Sequence, residues 1–278
     1  MQAEGLRKWY GDVAAVVGID LDIRRGEVFA LLGPNGAGKT TTVEILEGYR
    51  RRDGGTVAVL GRDPASGGRP WRARIGIVLQ QASEAEATEL TVREMVRHFA
   101  CFYPRPRDPD EVIELVGLTA KARNRIHQLS GGQVRRLDVA LGIVGGPELL
   151  FLDEPTTGFD PEARRNFWDL IRAMQSGGTT ILLTTHYLDE AEALADRVAV
   201  ISGGQIVATG APASLGGRAT ATATVRWQDG DGPGQVRTDS PTRVIGELAE
   251  RYGGEVPGLT VTRPTLEDVY LELIGGQR

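Results

Sequence analysis

The chain has 278 residues, 41% of them hydrophobic and 25% charged, enough for one full-sized domain with a large buried core and something smaller beside it. A formal net charge of −5 gives no overall basic surface, which argues against a nucleic-acid partner. Cys101 is the sole cysteine, so neither an intrachain disulfide nor a thiolate metal set is available.

Taken in chain order, Trp9 and Tyr10 precede a stretch in which Ile19, Leu21 and Ile23 alternate with Asp20, Asp22 and Arg24. A period of two predicts a half-exposed strand in an antiparallel setting. From residue 28 the strands become short unbroken apolar runs, at 28–32, 75–79, 149–152, 181–183 and 198–201. Separated by helical segments, such runs predict a mostly parallel sheet covered on both faces. Between 80 and 142 helical spacing takes over, after an Ala/Glu-rich run at 82–89 that reads as a solvated, mobile loop. Thr91 and Glu94 make a capping-box pair ahead of Met95, His98, Phe99 and Phe102. Asp108-Pro109 opens a second helix carrying Val112, Leu115 and Val116 and ended by Gly117. Cys101 lies in an apolar run and is expected to be a buried, inert thiol.

Beyond residue 216, Thr/Ala alternation at 219–225 leads to a Gly/Asp/Pro turn at 229–234, then to helices at 241–251 and 264–274. The expected architecture is an α/β core with an antiparallel β flank and an α-helical subdomain at about 81–142, together spanning 1–215. A small α+β appendage follows at 216–278. No segment reaches the roughly 18 consecutive apolar residues of a membrane span. The N-terminus lacks the apolar centre of a signal peptide, so the chain is expected to be cytosolic, with any membrane role supplied through a partner.

The stretch 28–41 reads as a buried strand, a glycine-rich turn and a helix start, and fits the pattern G-x-x-x-x-G-K-[ST] of a phosphate-binding loop. The loop Gly33, Pro34, Asn35, Gly36, Ala37 and Gly38 would wrap the phosphates, its glycines letting successive backbone N–H groups other than at Pro34 reach phosphate oxygens, with the N-terminus of the following helix adding its positive dipole end. Lys39 would neutralise the terminal phosphates; it is one of only three lysines among 32 basic residues. Thr40 and Thr41 follow. The run 149–152 ends in Asp153 and Glu154, at the sheet edge where ligands of open α/β sheets bind. In this Walker B arrangement Asp153 would hold Mg²⁺ through water, with the Thr40 hydroxyl as a further ligand, and Glu154 would polarise the attacking water. The plainer alternative makes both carboxylates caps of the helix opened by Asp160-Pro161. Leu129-Ser130-Gly131-Gly132-Gln133 begins another helix, Ser130 serving either as a simple N-cap or, with the bare glycine amides, as a second anion site.

The order phosphate loop, Leu-Ser-Gly-Gly-Gln, Walker B resembles the ATP-binding cassette (ABC) ATPases, whose signature is that pentapeptide. The resemblance implies further roles. Tyr10 is similar to the aromatic that stacks on adenine, with Trp9 beside it as the competing candidate. Gln80 resembles the glutamine that touches Mg²⁺ and the attacking water and links to the transport partner. His186 resembles the switch histidine that senses the γ-phosphate. Gly158-Phe159-Asp160 resembles the D-loop, with Phe159 where the family more often has leucine. Two cassettes of the family pair head to tail, the signature of one covering ATP held by the other, so ATP with Mg²⁺ and a second copy of the chain are expected.

One cassette with no membrane-spanning segment implies the energy subunit of a transporter whose permease is a separate chain, held at the cytoplasmic face of the membrane. Cassette proteins acting on ribosomes usually carry two cassettes in one chain. Chromosome and repair ATPases place a long coiled coil between loop and signature, which is missing here. Export is implied by the tail from Arg263 to Leu273 and by Thr184-Thr185-His186-Tyr187-Leu188-Asp189-Glu190-Ala191, both resembling drug-exporter ATPases of the daunorubicin-resistance type. An importer ATPase is the alternative, and the cargo is read by the permease.

Overall fold

The computed structural model describes residues 1–78, 89–229 and 232–275. The chain divides into two compact units, Met1–Thr209 and Gly210–Arg278.

The first unit opens with an antiparallel sheet of β1 (Gln2–Tyr10), β2 (Val13–Asp22) and β4 (Gly54–Ala58), ordered β2-β1-β4. Ile19 and Leu21 point inward and are buried, as the alternation requires. β1 escapes the pattern because only Ala3 and Leu6 turn inward among polar and aromatic neighbours. The second sheet runs β5-β6-β7-β3-β8-β9, built from β3 (Val28–Leu32), β5 (Ile75–Val78), β6 (Leu149–Asp153), β7 (Thr180–Thr184), β8 (Arg197–Ser202) and β9 (Gln205–Gly210). β3 pairs in parallel with β7 and β8, and β6 with β5 and β7.

Alternate residues of these strands enter two different cores. Val28, Leu150, Leu152, Ile181 and Leu183 join a cluster with the helical segments, while Phe29, Leu31, Leu149, Phe151 and Leu182 pack toward the antiparallel sheet. Both faces are covered, so both sets must be apolar, which is why the runs are unbroken.

Around the sheets lie α1 (Lys39–Leu46), α2 (Gly68–Arg72), α3 (Val92–Ala100), α4 (Pro109–Leu115), α5 (Gly131–Ile143), α6 (Pro161–Ser176) and α7 (Leu188–Leu194). The Thr91/Glu94 capping box of α3 and the Asp108 cap of α4 are formed as expected. Cys101 corrects its expectation. The thiol is exposed at the C-cap of α3, because Met95, Val96 and Ala100 take the inward stripe of that helix and leave residue 101 on its outer side. The loop expected at 82–89 lies outside the described residues apart from Glu89, as do Leu79 and Gln80.

The second unit holds β10 (Ala223–Asp229), β11 (Gly232–Thr238) and β12 (Thr260–Thr262) in the order β11-β10-β12, with α8 (Pro241–Tyr252) and α9 (Leu266–Gly275). Val225, Leu248 and Val256 form its core. Within the Thr/Ala alternation at 219–225 the strand begins at Ala223, since the carbonyls of Ala219 and Ala221 accept from Arg263 instead of from a ladder. Of the turn expected at 229–234, residues 230–231 lie outside the described residues and the rest are paired as strand down to Asp229↔Gly232; Pro233 is tolerated because β11 is an edge strand.

Candidate active site

β3, β5, β6 and β7 run in one direction, so the segments leaving their C-terminal ends gather at one edge of the sheet. After β3 the chain turns through Gly33, Pro34, Asn35, Gly36, Ala37 and Gly38 into α1. Gly38 has φ 102°, and a Cβ there would strike the carbonyl of Ala15; a Cβ on Gly33 would strike that of Ile201. No side chain caps α1, leaving its first amides free to bind. Lys39 is buried, and its Nζ donates to the carbonyls of Gly33 (2.7 Å) and Pro34 (3.0 Å). Burial lowers the Lys39 pKa, opposed by the nearby charges of Glu154 and Asp153. Thr40 is exposed at the helix start and Thr41 half-buried.

Asp153 ends β6 opposite Thr184 of β7, whose hydroxyl donates to Asp153 Oδ1. Glu154 follows with φ 45°, a left-handed backbone that costs a non-glycine residue about 1–2 kcal/mol. Its N–H donates to the Thr184 carbonyl at 3.0 Å, which holds the bend. The bend turns the Glu154 carboxylate toward His186, with Nδ1 and Oε1 3.2 Å apart. The Glu154 side chain is 13% exposed and that of His186 47%, so the pair spans from the protein interior to the open edge.

Of the two N-terminal aromatics, Tyr10 lies beside the loop, its hydroxyl 3.4 Å from Thr41 Oγ1 and its ring centroid 5.2 Å from the Arg50 guanidinium. Trp9 is equally exposed, but its side chain departs from the opposite face of the strand. Gln80 lies outside the described residues.

The Leu-Ser-Gly-Gly-Gln turn sits elsewhere. Ser130 caps α5 in a reciprocal box: its Oγ accepts from Gln133 N at 3.3 Å and Gln133 Oε1 accepts from Ser130 N at 3.0 Å. Ser130 and Gly131 are exposed, and a Cβ on Gly132 would come no nearer than 4.0 Å to the Gly158 carbonyl. Among the described residues no hydrogen bond joins residues 130–133 to the phosphate loop. Asp160 caps α6 by accepting from Ala163 N at 2.8 Å, and Phe159 is buried in its own chain, edge-on to Phe167 at 5.9 Å.

Sequence reasoning missed three residues that hold this edge together. Arg135 is 6% exposed and donates to the carbonyls of Asp153 (2.8 Å), Pro155 (3.1 Å) and Glu154 (3.2 Å), tying α5 to the end of β6. Its signal was its phase, since Arg135 falls on the buried stripe with Val139 and Gly142. Thr184 and Glu190 carried no signal beyond their nearness to His186.

The family described as ABC transporter matches residues 16–157. The daunorubicin resistance ATP-binding protein DrrA3 of Streptomyces coeruleorubidus is 37% identical over 99% of this chain and 96% of its own length. The daunorubicin/doxorubicin resistance ATP-binding protein DrrA of Streptomyces peucetius is 39% identical over 99% and 92%. A Nod factor export ATP-binding protein I of Ralstonia nicotianae is 41% identical over 77% of this chain and 68% of its own. Among solved structures, an ATP binding subunit of an ABC transporter superposes with a TM-score of 0.72 at 21% identity, covering 98% of each chain. The cbiO1 subunit from Clostridium perfringens gives 0.68 at 32% identity, over 76% of this chain and 88% of that one. Full-length likeness to curated ATP-binding proteins, the matched family and the shared fold lead to one conclusion: the chain belongs to the ABC transporter family, as an ATP-hydrolysing subunit.

Proposed function

We propose that two copies of this chain close on ATP and, by hydrolysing it, drive a separate membrane permease that exports a drug or another hydrophobic compound. The observation that carries the catalytic part is the bent Glu154 facing His186 at 3.2 Å, at the same sheet edge as Lys39. Lys39 exchanges the Gly33 and Pro34 carbonyls for the terminal phosphates, while the backbone N–H groups of residues 35–41 take the remaining oxygens. Tyr10 stacks on the adenine. Glu154 takes a proton from water as its oxygen bonds to the γ-phosphorus and the bond to the leaving β-phosphate oxygen breaks, releasing ADP and phosphate. His186 orients Glu154 and senses the γ-phosphate.

Thr40 and Asp153, with Gln80 as the family resemblance implies, would hold Mg²⁺ through oxygen atoms alone, a donor type that suits it better than a softer ion. When bound, Mg²⁺ would offset the phosphate charge.

Ser130 and Gly131 are exposed at the start of α5, which supports use of the turn of Ser130, Gly131, Gly132 and Gln133 over the nucleotide of a second copy, next to Asp160. The Gly210–Arg278 unit reinforces that dimer as a second linked contact. Ending the chain at Thr209 is expected to leave ATP binding intact and weaken ATP-driven dimerisation roughly tenfold or more. Unchanged dimerisation would remove this role.

Among the described residues no helix is long and apolar enough to cross a membrane. A cavity of about 460 Å³ lined by Tyr49, Ile77, Phe99, Tyr103, Glu47 and Arg72 offers the permease an apolar seat at the cytoplasmic face of the membrane. Export is supported by the relatives named for daunorubicin resistance and Nod factor export.

Glu154→Gln keeps the size of the side chain and removes the base. Phosphate release is expected to fall on the order of 10²-fold or more, with ATP now accumulating a stable dimer by size-exclusion chromatography. Release at the parental rate would overturn Glu154 as the base.

A further inference from the structure

Glu190 lies in the first turn of α7 and is fully buried, at 0% exposure. Its carboxyl faces the hydroxyls of Thr185 and Thr156 and the indole N–H of Trp168. Both carboxyl oxygens, Thr156 Oγ1 and Trp168 Nε1 are sealed from solvent, and none reaches full hydrogen-bond geometry. Burial pushes the Glu190 carboxyl above its usual range, against the pull of these donors and of Arg164. A buried carboxyl is costly to keep unless its partners return the cost, and its neighbours are not a random sample of the core. Thr185 immediately precedes His186, Thr156 follows Glu154 by two residues, and Trp168 belongs to α6, the helix capped by Asp160.

A second set of contacts joins the same segments from outside. Tyr187 N donates to Thr185 Oγ1 at 3.0 Å, Arg164 lies 4.7 Å from the Tyr187 ring centroid, and its guanidinium pairs with Asp189 at 3.4 Å.

We propose that Glu190 is a positioning residue for hydrolysis: its carboxyl clamps the segments ending β6 and β7 to α6, and so sets the approach of His186 to Glu154. It does not touch nucleotide. The inference rests on the reading of Glu154 as the base.

The full chain carries the test, through steady-state hydrolysis and ATP binding. Misplacing a reacting group by about 1 Å costs on the order of 10²-fold. Glu190→Ala is therefore expected to lower kcat by about that factor with KM for ATP changed less than about twofold, and Glu190→Gln, which keeps shape and hydrogen bonding, to restore most of it. In a His186→Ala background, Glu190→Ala should cost little more, since both act on one contact. Should Glu190→Ala not fold, Thr156→Val removes one arm of the clamp without changing volume, and kcat should still fall about tenfold at unchanged KM. Parental kcat in the foldable variants, or a full additional loss in the His186→Ala background, would overturn the clamp. Failure of the base reading is seen separately, as normal turnover by Glu154→Gln.

Discussion

At the scale of single residues, the site is assembled from groups kept away from their preferred states. Lys39 is a buried ammonium whose hydrogen bonds go to carbonyls that phosphate oxygens can replace, and Glu154 has a backbone turned into a sparsely populated region. Glu47 is a third case. It is 7% exposed at the C-terminal end of α1, where burial, Asp153 and Glu44 together push its pKa up to about 8. The negative pole of the helix adds to the disfavour of a charge there. The folded chain thus holds a proton between pH 4.5 and about 8 that the unfolded chain has lost, so Glu47 makes stability fall as pH rises through that window. The slope is on the order of 1 kcal/mol per pH unit. Glu47→Gln should therefore match the parent near pH 5 and be the more stable protein at pH 8 and above. Thermal unfolding across pH checks this, and a constant difference at all pH values would contradict it. That Lys39, Asp153, Glu154 and His186 gather at one edge was legible in the sequence because each follows a strand of one parallel sheet. Arg135, Thr184 and Glu190 were not, because they act on carbonyls and hydroxyls brought beside them only by the fold.

At the scale of elements, periodicity carried most of the reading. The parallel strands were legible because burial on both faces forces unbroken apolar runs, and the α3 and α4 starts because their caps use fixed spacings. β1 and β4 were not, having few inward apolar residues each. The α5 start shows how one element serves two ends. Ser130 is a structural N-cap in this chain, and its hydroxyl is also the group proposed to meet a second copy's nucleotide. Substitutions separate the two roles. Replacing Ser by Ala at an N-cap costs roughly 1 kcal/mol, whereas Gly costs only a few tenths. Ser130→Gly should accordingly leave the melting temperature nearly unchanged while reducing ATP hydrolysis about tenfold, the loss of a charge-assisted hydrogen bond of roughly 1.5 kcal/mol. Hydrolysis that tracked stability across the Gly and Ala variants, with Gly near parental, would leave Ser130 as a cap alone.

At the scale of the whole molecule, what the cassette works on must be read from its surface. Tyr49 is 80% exposed and Phe102 67%, large values for aromatic side chains. They are not scattered: Tyr49 and Phe99 line one cavity with Ile77, and Phe102 packs edge-on against Phe99 at 6.0 Å. Exposed apolar surface flanked by the exposed Arg72 fits a partner segment with apolar anchors and polar flanks. Central aromatic anchors commonly contribute about 2 kcal/mol or more to an interface, equivalent to roughly thirtyfold in affinity. Tyr49→Glu and Phe102→Glu should each weaken association with the proposed permease by about that factor, seen as loss of the chain from washed membranes containing it. ATP binding should be unaffected, because neither residue touches the phosphate loop. The paired measurement matters, since a misfolded variant would lose both. Retention on membranes with transport intact in the Tyr49→Glu, Phe102→Glu double variant would move the docking surface elsewhere. The stroke generated by closure around Lys39 and Glu154 would then have to leave the cassette by another face.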